Sequence, residues 1–331
     1  MLVNKKEKRM NSNLKFLLIL LASAAAAQGL AMVMPEYPAQ LFVLACINAI
    51  LAVSLNLVNG LSGQFSLGHA GFMAVGAYVS ASVNVFLLSF LHGSPVGDQT
   101  ALILSLMAAA LVSAGAGYLV GLPSLRLKGD YLAIVTLGFG EIIRVIILNI
   151  QAVGGARGFI GIPATSTPFL VVFVLVLCVL LTHRFVMSSH GRALLSVREN
   201  EIAAEAMGVN TTYYKVQAFV VSAATAGVAG GLFAHYLSYI NPSSFDFMKS
   251  VEIVIMVVLG GMGSVSGSIV AAFLLTFLPE ALRPLQDITH VDLRMVIYSL
   301  VLILMMLLRP KGMFGRKELW EMIGKKSSAQ P

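Results

Sequence analysis

The amino-acid sequence predicts an all-α polytopic membrane protein, and three observations support this class. Of 331 residues, 58% are hydrophobic and 11% are charged, with a mean hydropathy of +0.87, whereas soluble domains carry charge on about a quarter of their residues. Apolar runs long enough to span a bilayer recur along the chain. The basic residues behind the net charge of +7 cluster at the chain ends and between these runs, which indicates the positive-inside bias rather than nucleic-acid binding.

The first apolar run, residues 14–34, follows a basic segment of the kind that begins a signal peptide. The run is longer than a usual cleavable hydrophobic region, and its alanines define no single cleavage site. We therefore predict a basic cytoplasmic tail over residues 1–13 and a retained first helix whose N-terminus lies in the cytoplasm.

A window of about 20 residues predicts eight spanning helices within one transmembrane domain, residues 14–309. The predicted spans cover residues 14–34, 39–59, 66–91, 100–122, 131–150, 168–186, 214–238 and 293–309. Two cysteines, Cys46 and Cys178, fall within spans, and we interpret them as buried, inert thiols.

One further apolar stretch, residues 251–279, is too long for a simple span and is interrupted by glycines from Gly260 to Gly267. If this stretch crossed the membrane once, the basic C-terminal segment, residues 310–331, would lie outside and violate the positive-inside bias. We therefore predict a re-entrant segment or two short helices, with residues 310–331 forming a second cytoplasmic tail. Candidate path or gating residues at this break are Gly260, Gly261 and Gly263.

A similar Gly- and Ser-rich break occurs early in the chain, over residues 56–71. Its polar side chains can satisfy backbone groups freed at the break or line a transport path, and both roles stay open. These candidates are Asn56, Asn59, Ser62, Gln64, Ser66 and His69. The position of His69 among small residues is typical of a packed, hydrogen-bonded histidine. Two interrupted segments also suggest an internal pseudo-repeat, which in transporters points to the transport site.

Glu141 and Arg144 lie within a predicted span and are three residues apart, so they share a helix face. We expect them to neutralise each other, because a charge at the bilayer centre costs about 2.5–3.5 kcal/mol. A structural pair is one interpretation, and gating or contact with a zwitterionic substrate is the other. Glu141 is taken here as the only central acid.

A polar island lies within the predicted cytoplasmic loop, residues 187–213. Ser196 and Glu199 fit a capping box, and Asn200 is an alternative N-cap. The alanines that follow favour a helix of about two turns, and Gly208 is a natural stop. We predict a docking surface here, with an ordinary interfacial connector as the alternative. The candidate residues are Arg192, Arg198, Glu199, Asn200, Glu201, Ala203, Ala204 and Gly208.

This island resembles the coupling loop of ABC-importer permeases, in which Glu and two Ala precede a Gly; here one residue is inserted after Glu201. The rest of the chain, residues 40–315, resembles branched-chain amino acid ABC transporter permeases of the LivM type. The resemblance is carried by the NGLSGQFSLGHAGF run from Asn59, the GDYLAIVTLGFGE run from Gly129, the glycine loop ending Gly161-Ile162-Pro163, Gly260-Gly261-Met262-Gly263-Ser264 and Arg309-Pro310-Lys311-Gly312.

The resemblance implies an inner-membrane permease subunit that alternates access for branched-chain or broadly hydrophobic amino acids. It implies a sister permease subunit, two cytoplasmic ABC ATPase subunits on the coupling loops, and a periplasmic amino-acid-binding protein. The chain has no G-x-x-x-x-G-K-[ST] motif, so we expect ATP and Mg to bind the partner ATPase and no cofactor or metal to bind this chain.

Other functions stay open from sequence. A permease for urea or short amides belongs to the same wider family, and an ion-coupled secondary transporter also uses broken helices. A secondary transporter would favour more intramembrane carboxylates than Glu141 alone. A membrane-embedded enzyme is disfavoured because no catalytic constellation is recognisable in the sequence.

Overall fold

A computed structural model describes residues 33–91, 93–124 and 129–283, together with isolated positions within 22–29 and 299–318. These residues are almost entirely helical, and six of their helices are long and apolar enough to cross a membrane. The predicted all-α class is therefore confirmed. The predicted spans at 14–34 and 293–309 lie outside the described residues except at isolated positions.

Ten α-helices have both ends within the described residues. They are α1 (Glu36–Asn56), α2 (His69–Ser82), α3 (Pro95–Ser124), α4 (Asp130–Asn149), α5 (Pro168–Met187), α6 (Ser189–Glu199), α7 (Glu201–Ala206), α8 (Thr211–Leu237), α9 (Phe247–Gly260) and α10 (Val265–Ala281). The π-helical turns Leu57–Leu61 and Val83–Leu87 continue α1 and α2, and two short strands, β1 (Phe159–Ile160) and β2 (Tyr239–Ile240), pair antiparallel.

The core of the bundle forms where α8 packs along α2 and α3, while α1 packs against α10, α5 and α8. Small residues allow this close approach, since a Cβ on Gly76 of α2 would overlap the backbone of Gly227 on α8. Association in a bilayer depends on such tight contacts, because lipid tails are as apolar as the helices themselves. Both cysteines are buried and free, as predicted.

The stretch over residues 251–279 is broken into two short helices, as the glycine pattern predicts. α9 ends at Gly260, and α10 begins at Val265 after a turn in which Gly261 and Gly263 have φ of +111° and +99°. Backbone in the left-handed region is accessible to glycine at little cost, and it directs α10 back along the bundle. We call residues 261–264 the second break.

The first break, which we define as residues 56–68, runs from the last residue of α1 through the π-helical turn to the start of α2, and it differs from the sequence prediction, which placed a helix from residue 66. Residues 63–68 form no regular secondary structure, and α2 begins only at His69. Gly63, with φ of +71°, and the Asn59 side chain hold this conformation, because Asn59 binds the backbone of Ser66 in place of a helical partner. Local apolarity therefore overestimated the length of this span.

Both breaks lie at the end of the bundle that also carries α6 and α7, which we call the α6–α7 end. The opposite end carries the β1–β2 ribbon and the loop between β1 and α5. There, His235 joins α8 to the loop and to α2, with Nδ1 3.1 Å from Pro163 O and Nε2 3.1 Å from Ser80 Oγ.

Candidate functional site

The first break is held within the bundle by hydrogen bonds from polar side chains. Asn59 Oδ1 accepts from Ser66 N at 3.1 Å while its Nδ2 donates to Ser66 O at 3.4 Å, and Ser62 Oγ donates to Val58 O at 2.7 Å. Thr136 of α4 accepts from Leu67 N at 3.0 Å. Non-helical backbone at membrane depth requires such partners, so these side chains satisfy freed backbone groups, one of the two predicted roles.

Asn56 connects the two breaks directly. Its side chain is fully buried, with Oδ1 accepting from Gly263 N at 2.8 Å and Nδ2 donating to Ser264 O at 2.9 Å. Gly60 lies in the same contact, and a Cβ there would overlap both Asn56 Oδ1 and Gly263 N. One amide side chain thus supplies a hydrogen-bond partner to two backbone groups of the second break, Gly263 N and Ser264 O.

The second break is closed by a segment from the C-terminal region. Met313 N donates to Leu259 O at 2.8 Å and Phe314 N to Gly260 O at 3.3 Å. The Glu318 carboxylate accepts from Val265 N at 2.8 Å and from Ser266 N at 3.0 Å, at the start of α10. A helix start leaves its first amides without helical acceptors, so this acid acts as a cap supplied from a distant part of the chain.

The glycines of the second break permit close packing as well as the turn. A Cβ on Gly260 would lie 2.5 Å from Gly267 C, and one on Gly261 would overlap the backbone of Gly315. The three predicted residues Gly260, Gly261 and Gly263 are therefore packed against neighbouring backbone at the α6–α7 end.

The polar island folds as two short helices, and the capping box is wrong. Ser196 lies inside α6, and its hydroxyl donates to Ala193 O at 2.7 Å instead of capping a helix. Its backbone is already helical because Ser188 caps α6 at Gly191 N. The alternative is correct: Asn200 Oδ1 accepts from Ala203 N at 3.1 Å and begins α7, after which Gly208 has φ of +84°.

The orientation of α7 is fixed by its acidic residues. Glu201 Oε1 lies 2.6 Å from Lys215 Nζ on α8, Glu205 Oε1 accepts from Thr211 Oγ1 at 2.7 Å, and Ala204 is buried. The opposite face presents Ala203 together with Ile202 and Met207, which are 76% and 84% exposed. The sequence analysis selected the polar residues and missed these two exposed apolar side chains.

The two arginines of α6 have different environments. Arg192 is exposed and donates to Met187 O and Ser189 Oγ within its own helix region. The Arg198 side chain is 17% exposed; Nη1 donates to Gly60 O at 3.0 Å and Nη2 pairs with Glu199, which is itself mostly exposed. The predicted loop therefore contains one arginine on the surface and one directed toward the breaks.

His69, at the start of α2, is a packed residue, as its surroundings predict. Its Nε2 lies 2.6 Å from Ser54 Oγ on α1, and Ser222 of α8 donates to Ser54 O at 2.6 Å. Three helices therefore meet at this buried network. Gln64 is also buried, and its backbone amide donates to Val58 O at 3.1 Å.

Glu141 and Arg144 form the predicted ion pair, with Arg144 Nε 2.8 Å from Glu141 Oε2. Their side chains are 34% and 29% exposed, so the pair lies at the edge of the bundle and not in its centre. Whether this pair is structural or contacts a substrate stays a prediction.

A second charged pair within the helix bundle was missed. Lys249 Nζ on α9 lies 3.0 Å from Glu252 Oε2 and donates at 3.1 Å to Asn48 Oδ1, near the middle of α1. Asn48 Nδ2 in turn donates to Thr276 Oγ1 at 3.0 Å. Glu252 is thus a second partly covered acid in the bundle besides Glu141. The i,i+3 spacing of Lys249 and Glu252 is a signal, but the apolar window began after Lys249.

The family model and the similar proteins agree on one kind of protein, a transport permease. Residues 37–307 match the model of a family described as the branched-chain amino acid transport system / permease component. The high-affinity branched-chain amino acid transport system permease protein LivM of Salmonella typhimurium is 39% identical over 299 residues, which cover 80% of this chain and 67% of that protein.

LivM of Escherichia coli K12 is 38% identical over 305 residues, covering 82% of this chain and 68% of that protein. LivH of Salmonella typhimurium, a permease protein of the same kind of system, is 25% identical over 292 residues, covering 82% and 92%. No solved structure matches the chain.

Proposed function

The chain belongs to the branched-chain amino acid transport permease family, and from this premise we propose that it is the transmembrane subunit of an ATP-driven ABC importer. Its relatives are permease components of transport systems and not enzymes, in agreement with the sequence prediction. Branched-chain amino acids are the proposed substrates, taken from the relatives' names.

The observation that carries the ATPase assignment is the arrangement of α7. Glu201 and Glu205 are engaged by α8, and the free face of α7 carries Ile202 and Met207 at the end of the bundle where both breaks meet. Large exposed apolar residues beside a polar surface are typical of an interaction site. We propose that an ATPase subunit covers this face and that closure of the ATPase on ATP binding moves α6 and α7.

The proposed complex contains a sister permease, two cytoplasmic ATPases and a periplasmic amino-acid-binding protein, in a bacterial inner membrane with both termini of this chain cytoplasmic. ATP and Mg would bind the ATPases. Two charged pairs, Glu141–Arg144 and Lys249–Glu252, are partly exposed. Charge that faces lipid is costly, so we propose that the faces carrying these pairs line a path or contact the sister subunit.

The test is reconstitution of the permease with its ATPases, sister subunit and binding protein in proteoliposomes, with radiolabelled leucine uptake as the readout. We expect uptake that requires ATP and is not competed by urea. Uptake that follows an ion gradient without ATPase subunits would overturn the proposal in favour of a secondary transporter, and competition by urea would favour an amide permease.

The docking face has its own variant. Ile202→Asp is expected to reduce ATPase co-purification at least tenfold, since burying such a side chain contributes about 1.5–3 kcal/mol. The matched control is Ile160→Asp, which replaces an isoleucine 72% exposed in the β1–β2 ribbon. Equal co-purification of the two variants would contradict the assignment of α7.

A further inference from the structure

We infer that Arg198 is a positioning residue that transmits movement of α6 and α7 to both breaks, and that it is not part of the surface that docks the ATPase. The inference rests on the proposed function, since it assumes that a partner moves these helices. Its physical basis is the contact of one arginine side chain with residues of both breaks, Gly60 and Gly63 of the first and Gly263 of the second.

Arg198 lies in the last turn of α6 and is directed into the protein. Its side chain is 17% exposed, and Nη1 donates to Gly60 O at 3.0 Å. This carbonyl belongs to the π-helical turn Leu57–Leu61 that ends α1, and the last carbonyls of a helix have no helical donor. Because Arg198 is mostly covered, its charge is available to the first break and only slightly to an external partner.

The same side chain packs against glycines of both breaks. A Cβ on Gly63 would lie 2.8 Å from Arg198 Cγ, and a Cβ on Gly263 would lie 3.3 Å from Nη1. Any side chain at these positions would therefore press on the arginine. The absence of a Cβ at Gly63 and Gly263 lets the stem of Arg198 lie against the first break while its guanidinium group lies against the second.

Two further contacts make the connection stiff. Asn56 joins the breaks to each other through Gly263 N and Ser264 O. Leu194 of α6 packs with Leu57 and Leu61 in a buried cluster beside Arg198. Packed interiors transmit small displacements and do not absorb them, so α6 cannot shift without changing the contacts of Arg198.

The contact region also contains polar atoms suited to a second arrangement. Arg198 Nε and Gln64 Oε1 are buried and have no hydrogen-bond partner among the described residues. One is a donor and the other an acceptor, and Gln64 follows Gly63, which contacts the arginine. Buried polar groups in native structures are usually paired, so a displacement that pairs these two atoms would stabilise an alternative state.

The experiment compares Arg198→Gln and Arg198→Lys with the control Arg283→Gln in the complete reconstituted complex. Arg283 is an exposed arginine that pairs with Glu280 beyond α10. We measure leucine molecules imported per ATP hydrolysed, with co-purification of the ATPases as a check on assembly. Arg198→Gln should hydrolyse ATP but lower this ratio about tenfold, the effect of losing a charged hydrogen bond.

Arg198→Lys keeps the charge but cannot bind Gly60 and Glu199 in the same forked geometry, so partial rescue is expected. Amide hydrogen exchange gives a second measurement, which would not change in this way if Arg198 were merely structural. In wild type, trapping the ATP-bound state should change exchange in residues 57–66 and 261–266 as well as in α7. In Arg198→Lys the response of α7 should persist while the response of the breaks is reduced.

The outcomes separate the two proposals. If the wild-type complex does not couple uptake to ATP, the proposed function fails and the role of Arg198 fails with it. If wild type couples and Arg198→Gln imports as many molecules per ATP as Arg283→Gln, only the role of Arg198 is overturned. If Arg198→Gln does not assemble, the exchange data of Arg198→Lys decide, and an unreduced response of the breaks overturns the inference.

Discussion

Asn56→Leu is the substitution that most directly tests how the two breaks are held together. Leucine has the same branched outline as asparagine but neither accepts nor donates a hydrogen bond. The variant therefore leaves Gly263 N and Ser264 O without the partners that Asn56 provides at 2.8 and 2.9 Å. Asn56 is fully buried and Ser264 is buried, so water cannot readily replace the amide.

The expected loss of unfolding free energy is about 2–6 kcal/mol. Each buried polar group that loses its partner costs about 1–3 kcal/mol, and two such groups are involved. Gly60 approaches Asn56 so closely that leucine methyl groups would also press on its backbone, which adds to the cost and does not offset it.

The assay is unfolding of the purified chain in mixed micelles, followed by circular dichroism as denaturing detergent increases. The control is Asn149→Leu, because Asn149 is exposed at the end of α4 and donates only to Val145 O in its own helix. The control should change stability by less than about 0.5 kcal/mol. A loss below about 1 kcal/mol for Asn56→Leu, or equal losses for the two variants, would refute the reasoning.

Two further predictions concern charged groups. Replacing either Glu141 or Arg144 alone with leucine should reduce stability by about 2 kcal/mol more than replacing both, because each single variant leaves an unpaired charge in a spanning helix. Unfolding in the same micelles measures the three losses. Additive losses would contradict the prediction. If the double variant also keeps its transport activity, the pair is structural. Glu318→Ala should lower the free energy of unfolding by about 1 kcal/mol. It should raise hydrogen exchange at the Ser266 amide, which Glu318 caps, but not at the Gly267 amide, which Ser264 caps. An equal rise in exchange at the two amides would show that the carboxylate is not the cap.

Much of the fold was accessible from local sequence signals. The glycines after Leu259 predicted the break between α9 and α10, because positive φ and close approach both require glycine there. Asn200 and Gly208 predicted the limits of α7 for similar local reasons. Where a local signal had a competing local solution, as at Ser196, the pattern alone selected the wrong one.

The start of α2 shows how tertiary contacts override apolarity. Hydropathy begins the helix at residue 66, but residues 63–68 are not helical and α2 begins at His69, because Asn59 and Thr136 supply backbone partners. Lys249 and Glu252 were missed for a related reason. Their charges neutralise each other at i,i+3 spacing, but the contact of Lys249 with Asn48, 201 residues earlier, lies outside any window along the sequence.

The sequence by itself determined the class of protein, the spans that the structure describes and the positions of both breaks, since hydropathy, glycine conformation and helix capping act within one or two turns. Tertiary structure alone decided that the breaks meet, that Asn56 joins them and that Arg198 is directed toward both. Those contacts connect residues 207 and 138 positions apart, and their partners are backbone groups, which every residue carries. For that reason no residue pattern could have identified them before the chain was folded.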